Sequence, residues 1–257
     1  RLRQVEGMLK RYYPPRTDPY RLFEREIGSH LQPNHTLLDA GCGRKAALLN
    51  FLAPRVVRAI GQDLVEFDAS FGAGRVLLFR ADLARVPLEP CSVDIVISRS
   101  VVEHLAEPAA VYRQIHRVLR PGGKFIFITP NVWSYPIIAA RLIPNRLHAA
   151  VVGWAEGRPE ADTFATHHRS NSMRAIRKLA AATGFEVITL QYLSMFPNYL
   201  MFHPLAFLAG VGYERLVRRV RPLRFLQHWI LATLAKRDTG GPEDSAISDG
   251  SRPASIP

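Results

Sequence analysis

The chain has 257 residues, of which 47% are hydrophobic and 22% charged, an ordinary balance for a folded protein with one sizeable core. Its formal net charge of +12 favours an anionic partner: a membrane surface, a nucleic acid or an acidic substrate. The two cysteines, Cys42 and Cys91, show neither a metal-ligand spacing nor a disulfide framework. Residues 1–10 carry no apolar leader, and no run of about 18 apolar residues occurs. A reducing, cytoplasmic setting without a metal is therefore expected.

Residues 1–35 read as a helical lead-in punctuated by Pro14, Pro15, Pro19 and Pro33. A regular alternation then begins. Thr36 to Ala40 is a short apolar strand, and Lys45 to Leu52 a helix ended before Pro54. Val57 to Asp63, Arg75 to Arg80 and Val93 to Ser98 are the next three strands. Pro108 to Leu119 fits a helix, with Val111, Ile115 and Val118 at helical spacing and Pro121-Gly122-Gly123 as its stop. Lys124 to Thr129 is the fifth strand. Residues 130–170 form a less regular insert. Ser172 to Thr183 is a helix ended by Gly184, and Phe185 to Leu190 a sixth strand.

Apolar strands separated by helices imply an α/β fold with a doubly wound, mostly parallel sheet. In such a sheet the ligand sits at the carboxyl ends of the strands, so the residues that follow each strand carry the chemistry. After the first strand comes Asp39-Ala40-Gly41-Cys42-Gly43, in which glycine permits a tight turn and close approach of a ligand to the backbone. A plain strand-to-helix turn has the same pattern. Asp63 ends the second strand, about twenty residues on, where a carboxylate can accept both hydroxyls of a ribose or cap a helix. Asp82, before Leu83, can accept from an adenine amino group or terminate a turn. Ser98-Arg99-Ser100 follows the fourth strand, as a lining for the reacting end of a cofactor or as a polar strand end.

The blocks LLDAGCG, IGQDL, ADLARVPLEPCSVDIVISRSVVEHL and IHRVLRPGGKFIFITPN, in this order, resemble the class I S-adenosylmethionine-dependent methyltransferases, in the branch that includes quinone and lipid methylating enzymes. The likeness is strong over residues 36–131 and looser over 163–190. It implies a Rossmann-like methyltransferase fold with S-adenosyl-L-methionine as cofactor. Asp39, Gly41 and Gly43 would then hold the methionine part, Asp63 the ribose, Asp82 with Leu83 the adenine, and Ser98 would lie near the sulfonium. Cys42 and Leu64, inside the first two blocks, complete the candidate cofactor set. Arg44-Lys45 depart from the pattern, which often continues with small residues. A base is needed only where the acceptor must lose a proton. His104 is the candidate for that role, with His167 and His168 behind it. Glu103 reads as a helix-start residue, and Arg169 as either a partner for an acidic acceptor or a solvated charge near a cap formed by Asn171 or Ser172.

Residues 192–237 read as a basic, apolar helical extension beyond a methyltransferase domain spanning 36–191. Leu223, Leu226, Ile230 and Leu234 form one stripe, flanked by Phe225 and Trp229, and Arg215, Arg218, Arg219, Arg221 and Arg224 crowd its start. Such C-terminal amphipathic helices suit a peripheral anchor on an anionic membrane through 211–237, at the inner face, or packing on the fold. Residues 238–257 lack a hydrophobic stripe and read as a disordered tail. The acceptor expected is a small molecule or a lipid-like compound. Ser98-Arg99-Ser100-Val101 stands where enzymes that methylate base amino groups carry Asn/Asp-Pro-Pro-aromatic, which weighs against nucleic acid. Two alternatives stay open: an NAD-dependent oxidoreductase, for which Ala46 takes the third-glycine position, and a non-catalytic membrane-associated domain of the same fold.

Overall fold

The computed structural model describes residues 2–68, 76–142 and 165–237. The lead-in is α1 (Leu2–Tyr12), a 3-10 turn (Pro15–Thr17) and α2 (Pro19–His30). Asp18 starts α2: its carboxylate accepts from the backbone N–H of Tyr20 and Arg21, with Pro19 in the first turn. Phe23 and Ile27, one turn apart and fully buried, seat α2 on the sheet.

Then follow β1 (Thr36–Ala40), α3 (Ala47–Leu52), β2 (Arg58–Asp63), β3 (Val76–Arg80), β4 (Val93–Arg99), α4 (Pro108–Val118) and β5 (Leu119–Pro130). The second half adds α5 (Tyr135–Leu142), α6 (Met173–Ala182), β6 (Phe185–Leu193), α7 (Pro204–Arg219) and β7 (Trp229–Lys236). Among the described residues these strands form one seven-stranded sheet in the order β3-β2-β1-β4-β5-β7-β6. β1 to β5 pair in parallel, whereas β7 runs antiparallel to both β5 and β6. The sheet is thus doubly wound and mostly parallel, with its switch in strand order between β1 and β4.

Period-two alternation divides the strands between two cores. Leu38, Val96, Phe125 and Phe127 face the layer of α4 and α6, where Tyr112, Ile115 and Ile176 meet them. Leu37, Ile95, Ile97, Ile126 and Ile128 face α2 and α3. Residues buried on both faces explain why these strands read as unbroken apolar runs.

Two expectations change. β5 starts at Leu119, directly after α4, so Pro121-Gly122-Gly123 lies inside the strand. Leu119 pairs with Val93, and the register then shifts before Lys124 pairs with Ile95, so the Pro-Gly-Gly residues form an irregularity in the strand. The expected third strand is described over Val76–Arg80, and Arg75 lies outside the described residues. The larger change is at the C-terminus. A helix does form at 204–219, but Pro222 heads a 3-10 turn (Arg221–Leu226) and residues 229–236 are a strand. Ile230, Ala232 and Leu234 join one core and Leu231 the other. The run from Trp229 to Leu234 is apolar at nearly every position, so it satisfies a helical stripe and a doubly buried strand equally, and periodicity cannot separate the two. Hydrogen bonding to both β5 and β6 decides it. β7 therefore belongs to the same sheet as β1, and it has no face left to lie on a membrane.

The tail at 238–257 and part of the insert, 143–164, lie outside the described residues. No helix among the described residues is long and apolar enough to cross a membrane.

Candidate functional site

The carboxyl ends of β1, β2 and β3 converge. After β1 the chain turns through Gly41 and Gly43, both at positive φ (89° and 71°), and through Ala46 at φ 42°. The two glycines serve different needs. A Cβ on Gly41 would collide with the Val101 side chain, so this glycine permits close packing of the loop after β4. A Cβ on Gly43 would meet nothing within 4 Å, so Gly43 borders open space, where a ligand can approach the backbone.

Asp63, at the end of β2, ties the loop together. Its Oδ2 accepts from the Gly43 backbone N–H at 2.7 Å, and its Oδ1 from Leu64 at 2.7 Å and Val65 at 3.2 Å. A carboxylate offers about four lone-pair positions, so capacity remains for a hydroxyl donor. Asp39 is buried at 2% exposure. Burial pushes its carboxyl up to about 7, against the pull of Arg99 and with a smaller push from Asp63. Asp82 precedes a 3-10 turn (Leu83–Arg85), and its Oδ1 accepts from Ala84 N–H at 2.9 Å. Gln62 supports it from below, donating to the carbonyls of Ala81 and Asp82.

Other expected residues are spent differently. Leu83 is buried in the core beneath the turn, whereas Leu64 is exposed. The Cys42 side chain packs inward, toward Gly61 and Leu49. Burial, Asp39 and Asp63 all raise its thiol, which stays protonated. Only its backbone is available to a cofactor. Ser98 is buried, and its hydroxyl donates to the Ala40 carbonyl at 2.8 Å, so it locks β4 to β1. Arg44 and Lys45 are exposed.

After β4, Val102–His104 form a 3-10 turn. His104 Nδ1 lies 3.2 Å from the Ala165 carbonyl. A carbonyl can only accept, so Nδ1 carries a proton, and in the neutral ring Nε2 holds the lone pair. His167 and His168 use their backbone N–H groups on the Glu103 carbonyl. Glu103 stands in the first turn of that 3-10 helix, as a helix-start residue, and its carboxylate is buried and accepts from Thr129, which in turn accepts from Asn171. Arg169 pairs with Glu107 at 3.1 Å, as a solvated charge would, and Ser172 is the cap of α6.

The other half of the same sheet edge holds features that sequence reading missed. Tyr20, from α2, places its hydroxyl 3.4 Å from Ser100 Oγ and its ring 5.3 Å from that of Trp229. Arg99 lies over the Tyr20 ring at 5.5 Å. At the same edge is a cavity of about 580 Å³, lined by Tyr12 and Tyr13, Leu190 to Ser194 at the end of β6, Glu214, Arg215 and Arg218 of α7, and Arg224 and Gln227. Asn131 ties the end of β5 to the turn before β7, donating to the carbonyls of Phe225 and Gln227. Glu214 and His228 are buried, with Glu214 Oε1 2.7 Å from His228 Nδ1. Nothing in the spacing of these residues signals the cavity, because its wall comes from segments as far apart as Tyr12 and Gln227.

A doubly wound sheet with one inserted antiparallel strand and acidic groups after three successive parallel strands defines a nucleotide-binding α/β protein. The methyltransferase domain model matches residues 38–127. The ubiquinone/menaquinone biosynthesis C-methyltransferase of Rubrivivax gelatinosus is 32% identical over 68% of this chain and 69% of that protein. A probable S-adenosylmethionine-dependent methyltransferase of Mycolicibacterium smegmatis is 36% identical over 106 residues, 40% of this chain. This match takes in only 41% of that relative's length. A solved S-adenosylmethionine-dependent methyltransferase from Mesorhizobium loti shares the fold at a TM-score of 0.57 and 18% identity, over 82% of this chain and 96% of its own. The chain belongs to the class I S-adenosylmethionine-dependent methyltransferases.

Proposed function

We propose that this chain transfers a methyl group from S-adenosylmethionine to a small-molecule acceptor of quinone or lipid-like character. The observation that carries the reading is the set Asp39, Asp63 and Asp82 at the ends of β1, β2 and β3, facing a loop whose Gly43 borders open space. These residues fit the cofactor. Asp39, buried beside Arg99, suits the ammonium of the methionine part. Asp63 has lone pairs for the ribose hydroxyls, and Asp82 stands where the adenine amino group would be received. Bound there, the cofactor supplies an activated methyl group for in-line displacement, and placement of the nucleophile does much of the catalytic work. Tyr20 and Trp229 would divide the cofactor side from the acceptor side. His104, with its Nε2 lone pair, remains a candidate base, although its side chain does not line the cavity. The quinone-type acceptor is suggested by the name of the Rubrivivax relative.

Calorimetric titration with S-adenosylmethionine, S-adenosylhomocysteine and NAD tests this. The first two should bind and NAD should not. Asp63→Ala should weaken S-adenosylhomocysteine by about 1–3 kcal/mol, the cost of losing a hydrogen bond to a charged group. Binding of NAD alone would instead favour an oxidoreductase.

A peripheral membrane contact is a second reading, favoured by one observation. The outer face of α7 exposes Leu205, Leu208 and Leu216, beside Arg215, Arg218 and Arg219, each worth about 1 kcal/mol near an anionic leaflet. Residues 229–236 take no part in it. The full chain should sediment with phosphatidylglycerol vesicles, and replacing the three leucines by serine should abolish this. A native chain that stays in the supernatant rejects the contact. Truncation near Val211 is no test, since it removes β7 from the middle of the sheet.

A further inference from the structure

The cavity beside β6 has a chemistry of its own. We infer that it receives an amphipathic, hydroxyl-bearing organic anion, with the hydroxyl on Glu214 and the acidic group among Arg215, Arg218 and Arg224. This deepens the methyl-transfer reading and rests on it.

Glu214 is the key group. It is 2% exposed, yet it lines the cavity. Its Oε1 lies 2.7 Å from His228 Nδ1, yet neither carboxylate oxygen has a hydrogen-bond partner among the described residues. A buried carboxylate oxygen is seldom left without a donor. The nearby phenols do not supply one: Tyr213 donates to the Leu226 carbonyl, and the buried Tyr135 hydroxyl is itself without a partner. Burial and the Glu214 charge hold Tyr13 up at about 12, so this ring stays neutral at the wall. Neither oxygen has exposed surface, so a ligand hydroxyl would meet the carboxylate through a rotation of the side chain toward the cavity that Glu214 lines.

The rim differs in sign. Arg215, Arg218 and Arg224 line it, and Glu214 is the one acid among the described lining residues. Arg224 is braced by donating to the Arg218 carbonyl, and Arg215 lies over the Tyr12 ring at 5.1 Å. A cationic ligand would meet three like charges, and a purely apolar one would leave both Glu214 and the arginines unmatched. Between them lie apolar side chains such as Leu190, Leu193 and Val211, and the volume suits a small organic molecule. The cavity opens at the carboxyl end of β6, the sheet edge that also carries the glycine loop.

The test is calorimetry on the full chain saturated with S-adenosylhomocysteine, with three probes. Caffeate has hydroxyls and an acid, its methyl ester lacks the acid, and cinnamate lacks the hydroxyls. Caffeate should bind tightest. Glu214→Gln should weaken caffeate and its ester at least tenfold and cinnamate less than twofold. Arg218→Gln with Arg224→Gln should weaken caffeate and cinnamate and spare the ester. These arginines are exposed, so the second variant decides the matter should the first fail to fold. No binding of caffeate, or equal losses for all three probes, overturns the inference. If S-adenosylhomocysteine itself does not bind, both this inference and the methyl-transfer reading fail; if it binds while every probe is ignored, only the cavity assignment falls.

Discussion

The two halves of the sheet edge are built in opposite ways. The β2-β1-β4 half takes its groups from residues immediately after each strand: Asp39 and the glycine loop, Asp63, and the loop after β4. The β5-β7-β6 half takes its groups from α1, α2, the end of β6, α7 and the turn before β7, segments separated by up to some two hundred residues in the chain. The first half is held by backbone hydrogen bonds to one carboxylate, Asp63. The second is held by side-chain packing and by Asn131. A nucleotide pocket can therefore be specified locally, whereas an acceptor pocket of this kind exists only once the distant segments have met.

That contrast can be broken in several ways. The largest effect is expected at Gly41. Gly41→Ala combines a positive φ with a collision against Val101, and should cost about 2–5 kcal/mol in denaturant unfolding. Gly43→Ala has the same backbone sign but open space, so it should cost only about 1 kcal/mol of stability while weakening S-adenosylhomocysteine. Equal stability losses at the two positions would erase the distinction drawn between packing glycine and ligand-facing glycine.

Next is Leu234, fully buried in β7. Leu234→Ala should lose about 3 kcal/mol by urea unfolding, as expected of a central strand. A loss under 1 kcal/mol would mean that β7 is dispensable to the sheet.

A smaller effect, about tenfold, is expected from pH at Asp39. Its folded carboxyl is raised to about 7 from an ordinary value near 4, so the ionised fraction rises between pH 6 and 8. Binding of a cationic ammonium should tighten about tenfold over that interval, and Asp39→Asn should flatten the profile. The sign for stability is opposite. The folded chain holds this proton longer than the unfolded chain, so the group's contribution is lost as pH rises from about 4 through about 7, and is level above that. Affinity that falls with pH would reject the placement of the ammonium at Asp39.

The smallest effect belongs to Arg169, whose exposed pair with Glu107 should contribute at most about 0.5 kcal/mol. Arg169→Ala should leave both thermal stability and ligand affinity nearly unchanged. A marked loss of acceptor binding would move the acceptor site from α7 toward α6.

Much of the first half was legible because strand, turn and carboxylate follow one another within a few residues. β1 to β5 and α4 sit close to where the apolar runs place them, and Asp39, Asp63 and Asp82 stand at their ends. Side-chain direction was not legible. Cys42 turns into the core, and Ser98 binds the Ala40 carbonyl, because burial on both faces of the sheet claims every inward position. Glu103 reads as a helix-start residue and is one, but its burial against Thr129 was not legible in the chain.

What the sequence alone determined is the doubly wound core and the acidic groups that end its strands, since both follow from short-range apolar patterning and tight turns. What only the tertiary structure decided is β7. Trp229 to Leu234 satisfies two periodicities at once, and pairing with β5 and β6 chooses between them. The cavity likewise exists only in the folded chain, because its lining runs from Tyr12 to Gln227 and those distant segments meet only once the sheet has closed.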